Sequence, residues 1–453
     1  MPDTSPVPPP PPSAGPSGTP GSSDSSGTSG PSGTSGTASP TADRWGRRGL
    51  SRFLALYGVG NLALYAMYLG VVSILLPVQV EAFDPASKEI NLAVVTGVSA
   101  VFATLFNPIG GMLSDRTRTR WGRRNPWMLG GALGVVALLA VMGLSPALWL
   151  LAVGWCIAQA MGNVYQAAIT ATVPDRVPPE RRGSASAVMG IAQSLGMVAG
   201  SLVAARLVGR LELGYILLGA ALVVVAVLFT ALTHDPRGDE LPPRTTGGPN
   251  PLVQQLKGFG SALRSPDFTW AFTSRALMMM GFFAILGYQV YILSDYIALP
   301  EGLSPTDAVP VLTIANTVLT VACTAVIGPV SDRIGRRRPF VLVAGLIAAS
   351  ATVVPVLVPT FAGILVWATI AGAAFGVFMA ADHAIVTLVL PAGGDAARDL
   401  GVLNIANAGP QIIAPFVAGG IVVLFGGYQY LFIVGAVLSL LGALAITRVK
   451  GVA

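Results

Sequence analysis

Asp382 is the one acidic residue that falls well inside a long apolar stretch, and His383 follows it directly. A charge at mid-bilayer costs about 2.5–3.5 kcal/mol on insertion scales, so such a residue is expected to have a partner or a task. Arg275, at a similar depth in another apolar stretch, is the natural partner. Two chemistries fit. One is a fixed Arg275–Asp382 pair that joins two helices. The other is proton coupling, in which Asp382 carries the proton, His383 modulates it and Arg275 faces it. Covalent chemistry has no such foothold. The chain contains no Gly-x-x-x-x-Gly-Lys-Ser/Thr phosphate loop and no His-Glu-x-x-His zinc motif, and it has only 2 His. No enzyme, metal centre or cofactor is therefore expected. Cys156 and Cys323 both lie in apolar stretches and read as small buried hydrophobes, not as a disulfide framework.

A second group of residues is suited to binding. Tyr57, Asn61, Tyr65 and Tyr68 fall at i, i+4, i+8 and i+11, on one face of a helix. Trp155, Gln159, Asn163 and Gln166 repeat that spacing. Arg275, Phe282 and Gln289 follow seven apart with Tyr288 beside them, and Trp367, Phe375, Phe378 and Asp382 share another stripe. Amides that both donate and accept, set beside flat aromatic faces, suit a neutral, polyhydroxylated ligand. Polar residues at such positions can also serve as glue between membrane helices. Asp295, near the other end of its helix, is expected to face water.

The elements that hold these stripes follow from composition. The 453 residues are 53% hydrophobic and 11% charged, where soluble proteins carry about 25% charged residues. Crossing a bilayer takes about 20 apolar residues. Twelve such windows are present, roughly 52–79, 91–114, 126–144, 147–172, 184–208, 211–233, 269–297, 308–331, 340–358, 360–390, 400–425 and 427–447. The expected fold is an all-α integral membrane protein of twelve helices in two six-helix halves. All Lys and Arg except Lys88, Arg206 and Arg210 fall on the side of the termini or toward it. The positive-inside bias then predicts cytoplasmic termini in a multi-pass protein of the plasma membrane. The net charge of +6 reflects this topology, so no nucleic-acid partner is implied.

Residues 1–49 form a Pro-, Ser-, Gly- and Thr-rich cytoplasmic tail, too poor in apolar residues to order itself. It lacks the apolar core of a signal peptide. The segments 50–233 and 269–453 are the two halves, joined by a linker over 234–268. Within that linker Asn250-Pro251 starts a short amphipathic helix, with Leu252, Val253, Leu256, Phe259 and Leu263 at helical spacing.

A basic hairpin occurs once in each half. Ser114-Asp115-Arg116 with Gly122-Arg123-Arg124-Asn125-Pro126 returns 217 residues later (114 to 331) as Ser331-Asp332-Arg333 with Gly335-Arg336-Arg337-Arg338-Pro339. Pro174 and Pro391 keep the same offset. Gly183 and Gly401, and Gln193 and Gln411, are 218 apart. Parallel repeats of this kind characterise transporters. Gly111-x-x-x-Asp115-Arg116 and Gly328-x-x-x-Asp332-Arg333 resemble the loop signature of the major facilitator superfamily over residues 50–450. The longer run Ser114 to Trp127 resembles the glycoside and sucrose transporter branch, with Asn125 where that branch has Arg.

The resemblance implies a set of expectations. Helices 1, 4, 7 and 10 would line a central cavity, bringing Tyr57, Asn61, Tyr65, Trp155, Gln159, Asn163, Phe282, Gln289, Phe375 and Phe378 to one solute. The first hairpin would meet helix 11 near Gly401, and the second would meet helix 5 near Gly183. Asp115, Arg116, Arg123, Arg124, Asp332, Arg333, Arg336 and Arg337 would then act as a conformational latch, with Gly111 and Gly328 permitting close approach. The expected activity is secondary transport by alternating access in a monomer, as a proton-coupled symporter of a sugar or glycoside. The alternative is a proton-driven efflux antiporter for hydrophobic compounds. Such antiporters carry Gly-Pro on helix 5, where this chain has Gly196-Met197-Val198-Ala199-Gly200.

Overall fold

Lipid offers no partner for a backbone amide, so each apolar stretch must satisfy its own hydrogen bonds as a helix. The computed structural model describes residues 47–235, 264–389 and 396–449, all within the unit Trp45–Ala453. Nearly all of the tail and the amphipathic helix expected over 251–264 lie outside the described residues. Twelve of the described helices are long and apolar enough to cross a membrane. They are α1 Gly49–Phe83, α2 Lys88–Arg116, α3 Asn125–Gly143, α4 Leu148–Arg176, α5 Arg182–Arg206 and α6 Leu211–Leu232, then α7 Pro266–Gly287, α8 Pro305–Ile334, α9 Arg338–Leu357, α10 Phe361–Val389, α11 Ala396–Phe425 and α12 Gln429–Ile446. The all-α membrane fold expected from the sequence is the one observed.

Two helices are interrupted at equivalent places. In α1 a π-helical turn, Val71–Leu75, follows Gly70 and runs into Pro77, whose ring nitrogen cannot donate. α7 stops at Gly287, and a short helix Gln289–Asp295 resumes after Tyr288. Gly70 and Gly287 are 217 apart (70 to 287), the offset of the hairpins.

Close helix contacts are made at small residues. A Cβ on Gly196 of α5 would lie 2.5 Å from the Leu62 carbonyl oxygen of α1, and one on Gly200 would collide with the Ala66 backbone. In the second half Gly372 and Gly376 let α10 lie against α8. There Asn316 donates to the Ala368 carbonyl (3.1 Å), and Thr320 and Thr324 donate to those of Gly372 (2.9 Å) and Gly376 (3.1 Å). The two halves meet where Gly97 of α2 faces the Phe416 ring of α11 and Ala93 faces Gly419. Both contacts lie away from the hairpins, at what is called here the far end. Each hairpin turns on a glycine with positive φ, Gly122 at 100° and Gly335 at 68°.

The α1–α5 contact yields a prediction. Gly200→Val forces two backbones apart and is expected to destabilise the protein by about 1–3 kcal/mol, the usual cost of overpacking. Gly130→Ala, where an added methyl meets nothing within 4 Å, should leave thermal unfolding in detergent unchanged or slightly raised. Equal melting temperatures for Gly200→Val and wild type would refute the close-contact account.

Candidate functional site: a cavity between the halves

A cavity of about 470 Å³ lies between the halves. From the first half it is lined by Tyr65, Tyr68 and Ser73 of α1, Thr96, Thr104 and Asn107 of α2, Trp155, Gln159, Asn163 and Gln166 of α4, and Gln193 of α5. The second half adds mostly apolar groups, Phe283, Leu286, Ala408 and Pro415, together with Tyr288 and Gln411. Among the described residues no charged side chain lines it. Asn163 donates to the Tyr68 hydroxyl (3.1 Å) and accepts from Asn107 (3.4 Å), and Gln166 donates to the Tyr65 hydroxyl (3.0 Å). The rings of Tyr65 and Tyr68 meet edge to face at 6.2 Å.

The expected stripes are only partly brought together. Tyr65, Trp155, Gln159 and Asn163 line the cavity, and the other six named for it do not. Tyr57 and Asn61 are buried where α1 lies on α5: the Tyr57 hydroxyl donates to Met189 Sδ (3.3 Å), and the Asn61 amide donates to the Tyr57 carbonyl (2.9 Å). Gln289 is buried beyond the break after Gly287, so the seven-residue spacing from Phe282 no longer keeps one face. Phe282 stacks on Phe375, with centroids 4.3 Å apart. With Phe378, Met278 and Trp367 they line a separate space of about 30 Å³ inside the second half. Among the described residues, α10 contributes none to the lining of the larger cavity.

Arg275 and Asp382 are ion-paired through Arg275 Nη1 and Asp382 Oδ2, with their side chains 1% and 2% exposed. The pair links α7 to α10 in an apolar setting that includes Phe268, Met278, Phe378 and Ile385. The His383 side chain lies outside the described residues.

At the hairpin end the first half carries a knot of charges. Arg124 reaches Asp115 (2.6 Å), Asp175 (3.0 Å) and the Ser114 hydroxyl (2.5 Å), while Arg123 reaches Asp175 (2.6 Å) and lies 3.9 Å from Asp115. Asp235 accepts from the backbone N–H groups of Arg124 (2.6 Å) and Asn125 (3.0 Å), capping α3 from outside, and pairs with Arg176 at 2.8 Å. Asp175, Arg176 and Asp235 were not anticipated, because their partners are more than 50 residues away in sequence. The ion pairs of Asp115, Arg123 and Arg124 stay within the first half. Asp115 is 58% exposed and paired within its own hairpin. Arg116, Arg333 and Arg336 are exposed, and Arg337 is half-buried. A Cβ on Gly111, Gly183 or Gly328 would meet nothing within 4 Å. The Asp332 side chain and the surroundings of Gly401 lie outside the described residues.

The far end is where polar groups join the halves. Lys88 bridges Glu81 of α1 (2.6 Å) and Asp295 of the second half (2.7 Å), with its ammonium 4.8 Å from the centre of the Tyr291 ring. Tyr428 lies between Glu89 (2.6 Å) and Asp295 (3.1 Å). Tyr288 donates to the Glu89 carbonyl (2.7 Å), and Tyr291 donates to the Pro77 carbonyl (2.8 Å). Asp295, expected to face water, is thus a bridging residue. Asp84, in the nearby turn, accepts from Asn91 (3.0 Å) and Ser87 (3.2 Å), bonds that hold its carboxyl below the usual range. One signal for this seal was legible: Lys88 is one of few basic residues on that side, and Glu81 and Glu89 flank it.

The sequence pattern of the Major Facilitator Superfamily matches residues 58–318 and 291–451. The chain belongs to that superfamily of membrane transporters. Its members move solutes and make no covalent change, in keeping with the sites described. The chain is similar in fold to a bacterial homologue of the human lysosomal transporter Spinster, in an inward-facing and occupied conformation (16% identity, 89% of this chain and 97% of that one, TM-score 0.69). The peptide transporter POT in complex with sulfate is also similar (14%, 87% and 94%, TM-score 0.71). So is the nucleoside transporter NupG (13%, 88% and 99%, TM-score 0.68). Shorter stretches are similar to the uncharacterized symporter sll1374 of Synechocystis (47% over 49 residues) and the inner membrane symporter YicJ of Escherichia coli (31% over 86 residues). These stretches span 9% and 18% of those two relatives, and 11% and 18% of this chain.

The far-end seal predicts an outcome. Lys88→Met leaves Glu81 and Asp295 facing each other without the cation between them. A Thr96→Cys thiol in the cavity should then react several-fold faster with a membrane-impermeant maleimide applied from the far end. Unchanged labelling would mean that Lys88 does not hold the seal.

Proposed function

We propose that this transporter carries a neutral, polyhydroxylated solute, a sugar or glycoside, together with a proton. The observation that supports the solute class is the cavity lining, in which amides, hydroxyls and aromatic rings occur without a charged side chain among the described residues. Anionic or cationic solutes would find no counter-charge among those residues, and a purely hydrophobic one would make no hydrogen bond to a polar wall. The symporter names of the two short-stretch relatives favour symport over antiport. Placing the hairpins in the cytoplasm, as the basic residues suggest, puts the far-end seal on the outward side of the present arrangement. The Asp115 and Asp332 hairpins would latch the inward side in the alternate state.

The proton is assigned to the Arg275–Asp382 pair, in which a buried carboxylate faces one cation. One proton crossing about 100 mV yields about 2.3 kcal/mol, and one pH unit adds about 1.4 kcal/mol. Together these sustain roughly a 500-fold gradient of a neutral solute.

The deciding experiment uses proteoliposomes with an imposed inward proton gradient and labelled sucrose, maltose and methyl glucosides, with and without a protonophore. Gradient-dependent accumulation is expected. Movement of a hydrophobic dye with no sugar uptake would hand the function to efflux.

Two variants refine the mechanism. Asp382→Asn is expected to abolish accumulation while solute exchange continues. Removing one partner of a buried pair costs about 3–5 kcal/mol, whereas apolar replacement of both is near neutral. The double variant Arg275→Met, Asp382→Leu should therefore fold yet fail to accumulate; full accumulation by it would make the pair structural only. Asp115→Ala should slow turnover with half-saturation nearly unchanged, and the reverse pattern would refute the latch.

A further inference from the structure

The indole N–H of Trp367 on α10 is buried and has no hydrogen-bond partner among the described residues. A donor left without an acceptor inside protein costs more than an ordinary hydrogen bond gains, and the surrounding lipid offers no acceptor either. Trp367 lines the space of about 30 Å³ inside the second half, together with Thr352 of α9 and Ser439 of α12. Ser439 is 5% exposed, and its hydroxyl makes no hydrogen bond among the described residues. Thr352 is equally buried and gives its hydrogen to the Ala349 carbonyl (2.8 Å), which leaves its oxygen as an acceptor. The rest of the wall is apolar, with Met278 and Phe282 from α7 and Phe375 and Phe378 from α10.

The two halves differ at these positions. At the offset of 217 the first-half counterparts of Thr352 and Ser439 (352 to 135, 439 to 222) are Val135 and Leu222, both fully buried in an apolar core. α9 and α12 thus carry hydroxyls where α3 and α6 carry aliphatic side chains. Both hydroxyls line the same small space as the indole without a partner. A water held inside protein takes about 10–15 Å³ of room and two to four polar partners. The space has room for a water and for little else.

We propose that a single water molecule is bound there as a structural part of the second half. It accepts from Trp367 Nε1 and donates to the oxygens of Thr352 and Ser439, so the indole N–H and both hydrogens of the water are used. Its three bonds join α9, α10 and α12 at a point where these three side chains make no direct hydrogen bond to one another. Within lipid, polar ties of this kind supply association that apolar burial does not. Met278 is three residues from Arg275, and Phe378 is four from Asp382, so the tie lies about one turn from the ion pair of α7 and α10. It holds whatever the solute is.

Ultraviolet resonance Raman spectra of the detergent-solubilised protein report hydrogen bonding of indole N–H groups, and the difference between wild type and Trp367→Phe isolates this one. A hydrogen-bonded N–H is expected. Ser439→Ala removes one partner of the water, and should shift that band toward a free N–H and lower the unfolding temperature. A free Trp367 N–H in the wild type overturns the proposal. So does Ser439→Ala with the band unmoved, which places the N–H elsewhere, such as against the Phe432 ring, whose centroid is 5.6 Å from that of the indole. A raised unfolding temperature in Ser439→Ala would mean a dry space with an unmatched hydroxyl, and overturns it equally. Should Trp367→Phe fail to fold, the difference between wild type and Ser439→Ala reads the same band.

Discussion

In hydrocarbon an apolar side chain gains little by leaving lipid for protein, so helices associate through close backbone approach and polar contacts. The rest of this structure depends on that constraint. Within each half the constraint is met along whole helices. Gly196 and Gly200 seat α1 on α5, and Gly372 and Gly376 seat α10 on α8 with three side-chain hydrogen bonds added. Between the halves, among the described residues, the polar contacts given by distance gather at one end, around Lys88, Glu89, Asp295 and Tyr428. Two bodies firmly packed inside and joined at one rim can tilt against each other by exchanging a few polar bonds. That is the mechanical requirement for alternating access.

Charge is distributed according to the same division. The hairpin of the first half is tied down by Asp175 and Asp235, which bind Arg123, Arg124 and the first N–H groups of α3. These bonds stay within one half and the first residues of the linker that follows it, so they stiffen it without resisting tilt. The far-end bonds cross between halves and do resist it. Arg275 and Asp382 belong to the first kind by position, since both lie in the second half, but a pair of buried opposite charges can also be neutralised.

The fold was legible because its signals are long. Twelve apolar windows, two basic hairpins and the 217-residue offset each extend over many residues, and local irregularity does not erase them. Pairing of Arg275 with Asp382 was legible too, since a charge in lipid narrows its own options. The cavity was less so. A stripe drawn by helical spacing assumes an uninterrupted helix with one exposed face. α1 violates the second assumption at Tyr57 and Asn61, where α5 covers it. α7 violates the first at Gly287, which separates Gln289 from Phe282. Among the described residues, the polar contributions of α5 and α11 rest on single amides, Gln193 and Gln411. One amide in an apolar helix has no periodicity to announce it. The Asp235 cap and the Lys88 bridge are longer-range still, being made between segments that only the tertiary fold brings together.

The π turn in α1 changes what a single helix can serve. An α-helix turns by about 100° per residue, so accommodating one extra residue swings everything beyond it by roughly that angle. Before the turn, Tyr65, Tyr68 and Leu69 present themselves to the cavity. After it, the Pro77 carbonyl accepts from Tyr291 and Glu81 holds Lys88. The first transmembrane helix is in effect two faces on one shaft, a wall below and a door-frame above. With a repeat-related break in α7 on the other jamb, a door can swing while the wall keeps its shape.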